Sequence, residues 1–363
     1  MKQQASVSKI RRIRLNFSRS HVIRPTIRQM HGYVPGEQPQ DKRYIKLNSN
    51  ENPYPPSPRV AAALQQALSA DLRLYPDPVA NLLRDKAAEV YGLTRDHILV
   101  GNGSDDLLTM LMRTCVGPGD RVAYPVPTYS LYDELVTMQD GEIVRVPFPE
   151  DFSLPPQLAD VEAKLTMLCH PNAPSGTLPT LAQVEDLAQR VHGMLVIDEA
   201  YIDFADESAL PLIHKFPHVV ILRTFSKAFS LAGMRVGLAF GHPEFMRQLL
   251  KVKDSYNVNR LSIVAATAAL EDYAWMQQNV AKIRATRTRL TLALRELGYT
   301  VYDSHTNFVL ARKKDSSQEP IYRGLKDHGI LIRYFSVPEL SDCLRITIGT
   351  DDEINTLLEA MRK

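Results

Sequence analysis

Apolar residues recur at two different spacings along most of the chain, and these spacings predict its secondary structure. Short runs rich in Val, Ile and Leu indicate strands that are buried on both faces of a sheet. The predicted strands are His97–Gly101, Arg121–Tyr124, Glu142–Val146, Leu165–Cys169, Met194–Ile197, Val219–Thr224 and Arg235–Phe240. Longer stretches keep an apolar stripe at helical spacing. The predicted helices are Ser57–Ala70, Val79–Tyr91, Ser104–Cys115, Thr128–Met138, Leu181–Val191 and Glu244–Lys253.

The order of these elements predicts an α/β fold. Strands that alternate with helices are typical of a mostly parallel sheet with helices on both faces. The pattern then changes to a long helix near Tyr273–Leu297, three short strands and a closing helix from Asp351. The short strands are predicted at Thr300–Val301 with Asn307–Ala311, at Leu331–Arg333 and at Leu344–Ile348. We therefore expect a large α/β domain at residues 55–270 and a small α+β domain at residues 271–363.

Composition and charge argue against several classes of protein. The 363 residues are 44% hydrophobic and 23% charged, which are ordinary values for a globular protein. The formal net charge of +2 is too close to balance to favour nucleic acid as a partner, and no apolar run approaches the roughly 20 residues that a membrane helix needs. Cys115, Cys169 and Cys343 lack disulfide or metal-ligand spacing. We expect a cytoplasmic protein without a metal site.

The N-terminal segment differs from the rest of the chain in its charge. No acidic residue precedes Glu37, whereas eight Lys and Arg residues do. We expect residues 1–30 to form a flexible basic arm, although such a leader can also be an organelle transit peptide or an extension from an upstream start codon. A Pro-rich connector follows at residues 31–54 and is expected to contribute to the small domain.

Polar residues that could carry chemistry follow the predicted strands directly, where open α/β sheets bind ligands. Lys227 lies in the turn after the predicted strand Val219–Thr224, and Arg235 follows eight residues later. A nucleophilic lysine needs a depressed pKa, and neighbouring cations at the rim of a sheet lower it. Ser226 and Arg235 offer a hydroxyl and a guanidinium to a phosphate group. Taken alone, Lys227 could also be an ordinary surface lysine.

Two further segments suit anions. The turn Gly101–Asp106 joins a strand to a helix, and its glycines and helix N-terminus favour a phosphate at Gly103, Ser104 and Asp105. The same residues would serve as an ordinary helix cap, which is compatible with phosphate binding. Arg333 and Arg345 lie on apolar strands of the small domain, where a free guanidinium is costly to bury. They predict a bidentate anion site or, alternatively, a structural ion pair with an acid from the large domain.

The stretch Thr224-Phe-Ser-Lys-Ala-Phe-Ser-Leu-Ala-Gly-Met-Arg235 resembles the lysine region of fold-type I pyridoxal-phosphate (PLP) aminotransferases. From about Tyr33 onward, the motifs occur in the order and at the spacing of the histidinol-phosphate aminotransferase family. The resemblance implies the fold of PLP-dependent transferases and a reversible amino transfer. Glutamate and imidazole-acetol phosphate would give 2-oxoglutarate and histidinol phosphate, with Lys227 as the Schiff-base lysine and as general base and acid.

The resemblance also assigns roles to residues after the other strands. Asp198 would pair with the pyridine nitrogen of PLP, and Tyr201 and Asn172 would donate hydrogen bonds to its phenolic oxygen. The implied catalytic residues are therefore Lys227, Asp198 and Tyr201. The implied cofactor-binding residues are Gly103, Ser104, Asp105, Tyr129 against the ring face, Asn172, Asp198, Tyr201, Thr224, Ser226, Lys227 and Arg235, with Tyr75 supplied by a neighbouring subunit.

The role of Tyr75 implies a homodimer with shared active sites. Tyr33, Arg333 and Arg345 would bind the substrate phosphate, and Asn52 would lie at the mouth of the site. Three alternatives stay open at this point. The protein could be an aromatic amino acid aminotransferase in which Arg345 binds a carboxylate, a PLP-dependent threonine-phosphate decarboxylase, or a PLP-sensing regulator without enzymatic activity. The basic arm is too short for the helix-turn-helix domain that such a regulator would need.

Overall fold

The computed structural model describes residues 22–68 and 70–362. The predicted basic arm therefore lies outside the described residues as far as residue 21. The strands, in chain order, are β1 (Ile45–Lys46), β2 (Ile98–Gly101), β3 (Arg121–Val126), β4 (Glu142–Pro147), β5 (Leu165–Cys169), β6 (Met194–Asp198), β7 (Val219–Thr224), β8 (Gly237–Gly241), β9 (Thr300–Val301), β10 (Phe308–Arg312), β11 (Ile330–Leu331), β12 (Arg333–Tyr334) and β13 (Cys343–Thr347).

Helices cover the sheets and connect their strands. In chain order they are α1 (Pro25–Gln29), α2 (Pro58–Ala67), α3 (Asn81–Tyr91), α4 (Ser104–Cys115), α5 (Leu131–Met138), α6 (Leu181–Arg190), α7 (Leu212–Lys215), α8 (Pro243–Val252), α9 (Arg260–Glu271), α10 (Tyr273–Glu296), α11 (Glu319–Asp327) and α12 (Asp351–Met361). Among the described residues, none of these helices is long and apolar enough to cross a membrane.

The central sheet has seven strands in the order β2-β8-β7-β6-β5-β3-β4. Strands β3 to β7 pair in parallel, whereas β8 runs antiparallel to both of its neighbours, β7 and β2. Every residue of β5 and β7 is buried, as expected for strands covered on both faces. The parallel strands place their carboxyl ends along one edge of the sheet, and this edge carries the candidate site.

Local signals in the sequence set the ends of several helices. Thr180 and Gln183 form a reciprocal capping box at the start of α6, and Thr350 and Glu353 form another at the start of α12. Helix α3 ends at Gly92, whose φ of 67° is the left-handed conformation that glycine adopts without strain. Side-chain chemistry at these positions therefore fixes where each helix begins or ends.

A smaller lobe follows the long helix α10. Its antiparallel sheet has the order β12-β13-β10-β9, and α11 and α12 complete the lobe. The N-terminal connector joins this lobe because β1 pairs in parallel with β11. The connector also continues into the lobe, since the Thr347 backbone N–H donates to the Leu47 carbonyl at 3.0 Å.

The predicted fold class is confirmed, since the structure is an α/β fold with a mostly parallel sheet flanked by helices. Two strand predictions were wrong in detail. The strand expected at Arg235–Phe240 begins only at Gly237, because Arg235 adopts a left-handed backbone with φ of 50°. The strand expected at Leu331–Arg333 is divided at Ile332 between two sheets, with β11 pairing with β1 and β12 with β13.

The sequence pattern missed four helices, α1, α7, α9 and α11. Helices α1 and α7 have only five and four residues, which are too few to show an apolar stripe. Helix α9 is buried on most of its surface, so its apolar positions form no one-sided stripe that would signal a surface helix. Helix α11 has nine residues and buries only Leu325, so its apolar pattern covers little more than two turns. The long helix expected near Tyr273–Leu297 is confirmed as α10.

Candidate active site

The predicted functional residues converge on the carboxyl edge of the central sheet. Asn172 follows β5, Asp198 is the last residue of β6, and Lys227 lies in the turn after β7. These three strands are neighbours and parallel, so their carboxyl ends meet. Tyr129 follows β3, the next strand in the sheet. The fold therefore brings together residues that are almost 100 positions apart in sequence.

Lys227 is partly buried and directed toward the connector and Tyr201. Its Nζ donates to the carbonyl of Ser49 at 3.3 Å and lies 5.5 Å from the centre of the Tyr201 ring. Burial and, to a smaller extent, the nearby Arg345 guanidinium together lower the pKa of the Lys227 amine to about 8. The neutral, nucleophilic amine is therefore far more available than that of an ordinary surface lysine.

Asp198 is a buried carboxylate without a cationic partner among the described residues. Its side chain accepts a hydrogen bond from the Tyr132 hydroxyl at 2.8 Å and one from the Ala200 backbone N–H at 3.2 Å. The residue is only 3% exposed. Burial raises the pKa of the carboxyl to about 6, although the Tyr132 hydrogen bond opposes this rise. A cationic N–H group placed here would relieve the cost of burying the charge.

Tyr201 and Asn172 lie on either side of this carboxylate in the sequence and are both buried. The Tyr201 hydroxyl accepts a hydrogen bond from Nδ2 of Asn50 at 2.9 Å, and burial raises its pKa to about 12. The Asn172 amide nitrogen donates to Oγ of Ser175 at 2.9 Å, and its oxygen accepts from Thr128 at 2.8 Å. These bonds orient the Asn172 side chain from within the protein.

An anion cradle forms where α4 begins. The Arg235 guanidinium donates to Oδ2 of Asp105 at 3.2 Å and to Oγ of Ser226 at 3.1 Å. Ser104 is the first residue of α4, so the helix N-terminus opens beside this guanidinium. Gly103 has a φ of +86°, and a Cβ there would lie 2.6 Å from Nη2 of Arg235. Glycine is therefore required for Arg235 to approach the helix N-terminus.

The remaining two residues of the predicted cofactor set in this region contact the cradle. The Tyr129 hydroxyl donates to Oδ1 of Asp105 at 3.2 Å, and its ring packs edge-on against Tyr132 with centroids 5.6 Å apart. Thr224 donates through its hydroxyl to Oγ of Ser226 at 3.0 Å. Both side chains thus hold residues of the cradle in place.

Arg333 and Arg345 lie directly opposite each other on β12 and β13. Arg345 donates to the Asn48 carbonyl at 3.1 Å, while its buried Nε has no partner within the described part of the chain. Neither arginine makes an ion pair with a described acid, so the structural ion pair considered from the sequence is not seen. Burial lowers the pKa of Arg345, and Arg333 adds to this effect. Two adjacent like charges attract an anion.

Tyr33, Asn52 and Tyr75 take up different positions. Tyr33 is 42% exposed and packs edge-on against Tyr129, with ring centroids 5.9 Å apart. Asn52 donates to the carbonyls of Lys227 and Ala228 at 3.2 and 3.0 Å, so it supports the lysine turn. Tyr75 is 76% exposed and stacks on Tyr256. Among the described residues, no hydrogen bond or ring contact joins Tyr75 to the cradle.

Comparison with known proteins agrees with this geometry. A model of the family described as aminotransferase class I and II matches residues 42–361. The chain belongs to this aminotransferase family.

Individual aminotransferases are similar over nearly the whole chain. Histidinol-phosphate aminotransferase 1 of Trichormus variabilis is 45% identical over 345 residues, which span 94% of this chain and 99% of the relative. The histidinol-phosphate aminotransferase of Citrifermentans bemidjiense is 45% identical over 342 residues, with 94% and 98% covered. A crystal structure of the Sinorhizobium meliloti histidinol-phosphate aminotransferase in complex with pyridoxal-5'-phosphate has a TM-score of 0.88 and 30% identity, covering 95% of this chain and 99% of that one.

The sequence pattern did not indicate two residues that contact the predicted catalytic groups, Asp198 and Tyr201. Tyr132, which bonds Asp198, lies three positions after Tyr129, and this spacing could have indicated that both rings face the same way. Asn50, which bonds Tyr201, has a left-handed backbone with φ of 56°. No feature of the connector sequence distinguishes it from Asn48 or Asn52, so only the fold could show which asparagine reaches the site.

Proposed function

We propose that the chain is a histidinol-phosphate aminotransferase that uses PLP. It would transfer an amino group reversibly between histidinol phosphate and 2-oxoglutarate, giving imidazole-acetol phosphate and glutamate. The names of its aminotransferase relatives support this activity. The structural observation that carries the choice of substrate is the cross-strand pair Arg333 and Arg345, which lacks an acidic partner among the described residues.

The residues present fit PLP. Asp198 supplies a buried carboxylate without a cationic partner in the described chain, which suits the protonated ring nitrogen of this cofactor. The cradle of Arg235, Ser226 and the N-terminus of α4 suits its phosphate. Lys227 supplies the amine that would hold PLP covalently. When bound, PLP withdraws electrons from the substrate carbon that carries the amino group, so that the proton on this carbon becomes acidic.

The side chains of the site divide the remaining work. Lys227 Nζ would be the base that takes the proton from the substrate carbon and later returns a proton as an acid, because its pKa of about 8 lets it exchange a proton near neutral pH. Asp198 would keep a proton on the ring nitrogen of PLP, because a buried carboxylate stabilises a positive charge beside it. Asn50 and Asn52 fix Tyr201 and the Lys227 turn, respectively.

The arginine pair would bind the phosphate of histidinol phosphate. A phosphate dianion offers enough acceptor oxygens to satisfy both guanidiniums, including the buried Nε of Arg345. The flanking ring of Phe335 lies 5.5 Å from the Arg333 guanidinium carbon and 5.7 Å from that of Arg345. This ring reduces the access of water to the pair. Tyr33, which packs beside Tyr129, would close the same end of the site.

The domain roles follow the same division. Residues 55–270 would hold the cofactor, and residues 271–363 would hold the substrate phosphate together with the connector at residues 31–54. The contact between Arg345 and the Asn48 carbonyl supports this shared role of connector and small domain.

We further propose that the enzyme is a homodimer in which Tyr75 completes the partner's site. Tyr75 and Tyr256 stack on each other while both remain exposed. Leu72 and Leu74, just before Tyr75 in the chain, are also exposed. Exposed apolar groups of this size are typical of a surface that another protein covers. Light scattering should give twice the chain mass, and Tyr75→Ala should weaken PLP binding.

The free cysteines support a cytoplasmic location. Cys115, Cys169 and Cys343 are all buried thiols without a disulfide. Such thiols persist in a reducing compartment. Thiol labelling of the protein, unfolded immediately after isolation without reductant, should find all three residues reduced.

One spectroscopic experiment tests the activity. The visible absorption of the PLP-loaded protein should change when histidinol phosphate is added and should return when 2-oxoglutarate follows. Aromatic amino acids that cause the same change with similar or higher affinity would favour the aromatic aminotransferase instead. Release of carbon dioxide from threonine phosphate would favour the decarboxylase.

The arginine pair can be tested with matched substrates and variants. Arg333→Gln should lower kcat/KM for histidinol phosphate by about tenfold or more, because a charged hydrogen-bonding partner is lost. The same variant should have little effect on histidinol, which lacks the phosphate. Arg323→Gln, at an exposed arginine paired with Glu319 on α11, is the control. Equal losses for both substrates would contradict phosphate binding by Arg333.

A further inference from the structure

A second cleft, of about 540 Å³, lies outside the candidate active site. It is formed between the segment after β6, residues 202–208, and the long helix α10. None of the residues that line it belongs to the cofactor or substrate sets described above. Its volume is that of a small-molecule site. The amino-transfer reaction gives it no role.

The cations in this cleft already have anionic partners. Arg223 donates to Oε2 of the fully buried Glu199 at 3.1 Å and to Oγ of Ser208 at 2.8 Å. Arg284 donates to Oδ1 of Asp206 at 2.6 Å. The two guanidiniums that line the cleft are thus neutralised within the protein. An anionic ligand would have to displace these contacts.

Asp203 is a buried acid of the cleft, whereas Glu207, which also lines it, is exposed to water. Its side chain is 7% exposed and lines the cleft, yet it makes no hydrogen bond to any described residue. Its nearest cationic atom is Nη1 of Arg223, at 4.0 Å, which is beyond hydrogen-bonding distance. Burial raises the pKa of this carboxyl, and Arg223 only partly opposes the rise. A charged N–H donor stabilises a buried carboxylate that has no hydrogen-bond donor of its own.

Apolar side chains line the same cleft as the carboxylate. Tyr273, Met276 and Val280 lie at helical spacing on α10, and all three line the cleft. They offer apolar contact close to the buried carboxylate. A ligand that fits both features has one cationic head group and an apolar or aromatic body.

We propose that this cleft binds a small organic cation, whose amidinium, guanidinium or ammonium group hydrogen-bonds Asp203 and whose apolar body packs against Tyr273, Met276 and Val280. The site is separate from the amino-transfer centre and does not depend on the function proposed for it. The cationic surroundings of Lys227, Arg333 and Arg345 disfavour the same ligand at the active site.

Benzamidine and benzamide make a matched pair of probes. They have nearly the same shape, but only benzamidine carries a charge, and neither is an amino substrate. Isothermal titration of the PLP-loaded, full-length protein should detect benzamidine with a dissociation constant on the order of 1 mM or tighter. Benzamide should bind at least about tenfold more weakly, because it cannot form the charge-assisted bond to Asp203.

Two pairs of variants locate the site. Asp203→Asn should weaken benzamidine binding by about tenfold or more, whereas Asp206→Asn, at a largely exposed acid in the same cleft, should change it by less than about threefold. Gln277→Lys places a cation in the cleft wall and should block binding without touching the core. Gln278→Lys makes the same change one residue away, outside the cleft, and should leave binding intact.

Thermal melting reports the folding of each variant independently of its catalytic activity, so a loss of benzamidine binding can be told apart from misfolding. Failure of benzamidine to bind, equal binding of benzamide, unchanged binding in Asp203→Asn, or equal behaviour of the two lysine variants would each overturn the proposal. If histidinol phosphate is not a substrate while benzamidine binds as described, the proposed reaction fails and the cation site stands.

Discussion

The hydroxyl of Tyr132 donates a hydrogen bond to Oδ2 of Asp198 over 2.8 Å, and both side chains are buried. Tyr132 comes from α5, and Asp198 ends β6, so the bond connects two separate segments of the site. The hydrogen bond stabilises the ionised carboxylate and opposes the rise in pKa that burial causes. Tyr132 is therefore a positioning residue that helps Asp198 to stay charged.

Removing this donor should make cofactor binding more sensitive to acid. In Tyr132→Phe the pKa of Asp198 should rise above its value of about 6, so that the carboxylate is lost at a higher pH. We expect PLP affinity at pH 7 to fall by roughly three- to tenfold. The acid limb of the binding curve, which is the pH range where protonation weakens PLP binding, should move to higher pH. Spectroscopic titration with PLP across pH would measure both effects.

Tyr124→Phe provides the control for this experiment. Tyr124 also donates to a carboxylate, that of Asp133, but outside the predicted cofactor set. This variant should keep the acid limb of the wild-type protein. An acid limb that does not move in Tyr132→Phe would show that Tyr132 only fills space.

Asp198 should destabilise the PLP-free protein at neutral pH. The pKa of Asp198 rises from 3.8 in the unfolded chain to about 6 in the folded protein. The folded protein therefore gains stability from the protonated carboxyl at low pH, and it loses this stability as the pH rises through about 6. The full loss is about 3 kcal/mol when the shift is converted to free energy. Asp198→Asn should therefore raise the free energy of unfolding by about 1–3 kcal/mol at pH 7.5, and by less at pH 5.

Urea unfolding of the PLP-free protein at the two pH values would measure this difference. Asp186→Asn, at an exposed acid on α6, should change stability by less than about 0.5 kcal/mol. The same variant of Asp198 should bind PLP much more weakly. A destabilised Asp198→Asn protein at pH 7.5 would contradict the view that this charge is costly without the cofactor.

Lys227→Ala should abolish turnover while the fold remains. The amine is the group expected to hold the cofactor and to move the proton, and loss of such a nucleophile typically costs a factor of about a thousand or more. Neutralising this partly buried cation should not destabilise the cofactor-free protein, because burial already lowers the amine's pKa to about 8. Steady-state rates and thermal melting would measure the two effects. Lys251→Ala, on the exposed face of α8, should retain full activity.

Gly103→Ala should weaken the phosphate cradle. Gly103 and Gly298 both have positive φ values, 86° and 83°, so alanine at either position strains the backbone. At Gly103 the strain is about 1–3 kcal/mol, because a φ of 86° with a ψ of 168° is essentially restricted to glycine. Only at Gly103 would the new Cβ meet another group, Nη2 of Arg235 at 2.6 Å; nothing lies within 4 Å of the corresponding position at Gly298. We expect PLP affinity to fall about tenfold in Gly103→Ala and to stay unchanged in Gly298→Ala.

Gly298→Ala tests whether alanine at a positive-φ glycine distant from Arg235 is enough to weaken PLP binding. Unfolding measurements should show that both lose stability, while PLP titration should distinguish them. Equal affinity for PLP in the two variants would mean that the position of Arg235 does not matter for the phosphate.

The sequence was sufficient to predict the fold class and the convergence of the main site residues. Asn172, Asp198 and Lys227 all follow apolar runs, and parallel strands bring such positions to one edge. Contacts made from other segments were not predictable in this way. Tyr132 and Asn50 reach the site through the packing of a helix and a connector, which local spacing does not encode.

Backbone conformation was the other feature that the sequence pattern did not reveal. Arg235 reads as the first residue of a strand, but its left-handed backbone turns its guanidinium toward Gly103 and Ser226. Ile332 reads as the centre of one strand, yet the hydrogen-bonding partners of the chain change there. In both cases tertiary contacts override a local apolar pattern.

The connector links the two halves of the site. One end of it belongs to the small lobe, since Ile45 pairs with Ile330 in β11. Its other end holds the large domain, because Asn50 bonds Tyr201 and Asn52 bonds the carbonyl of Lys227. A rotation of the small lobe on binding substrate would therefore pull on the lysine turn as well as on the arginine pair, so that capture of the phosphate and alignment of the reacting amine become a single mechanical event.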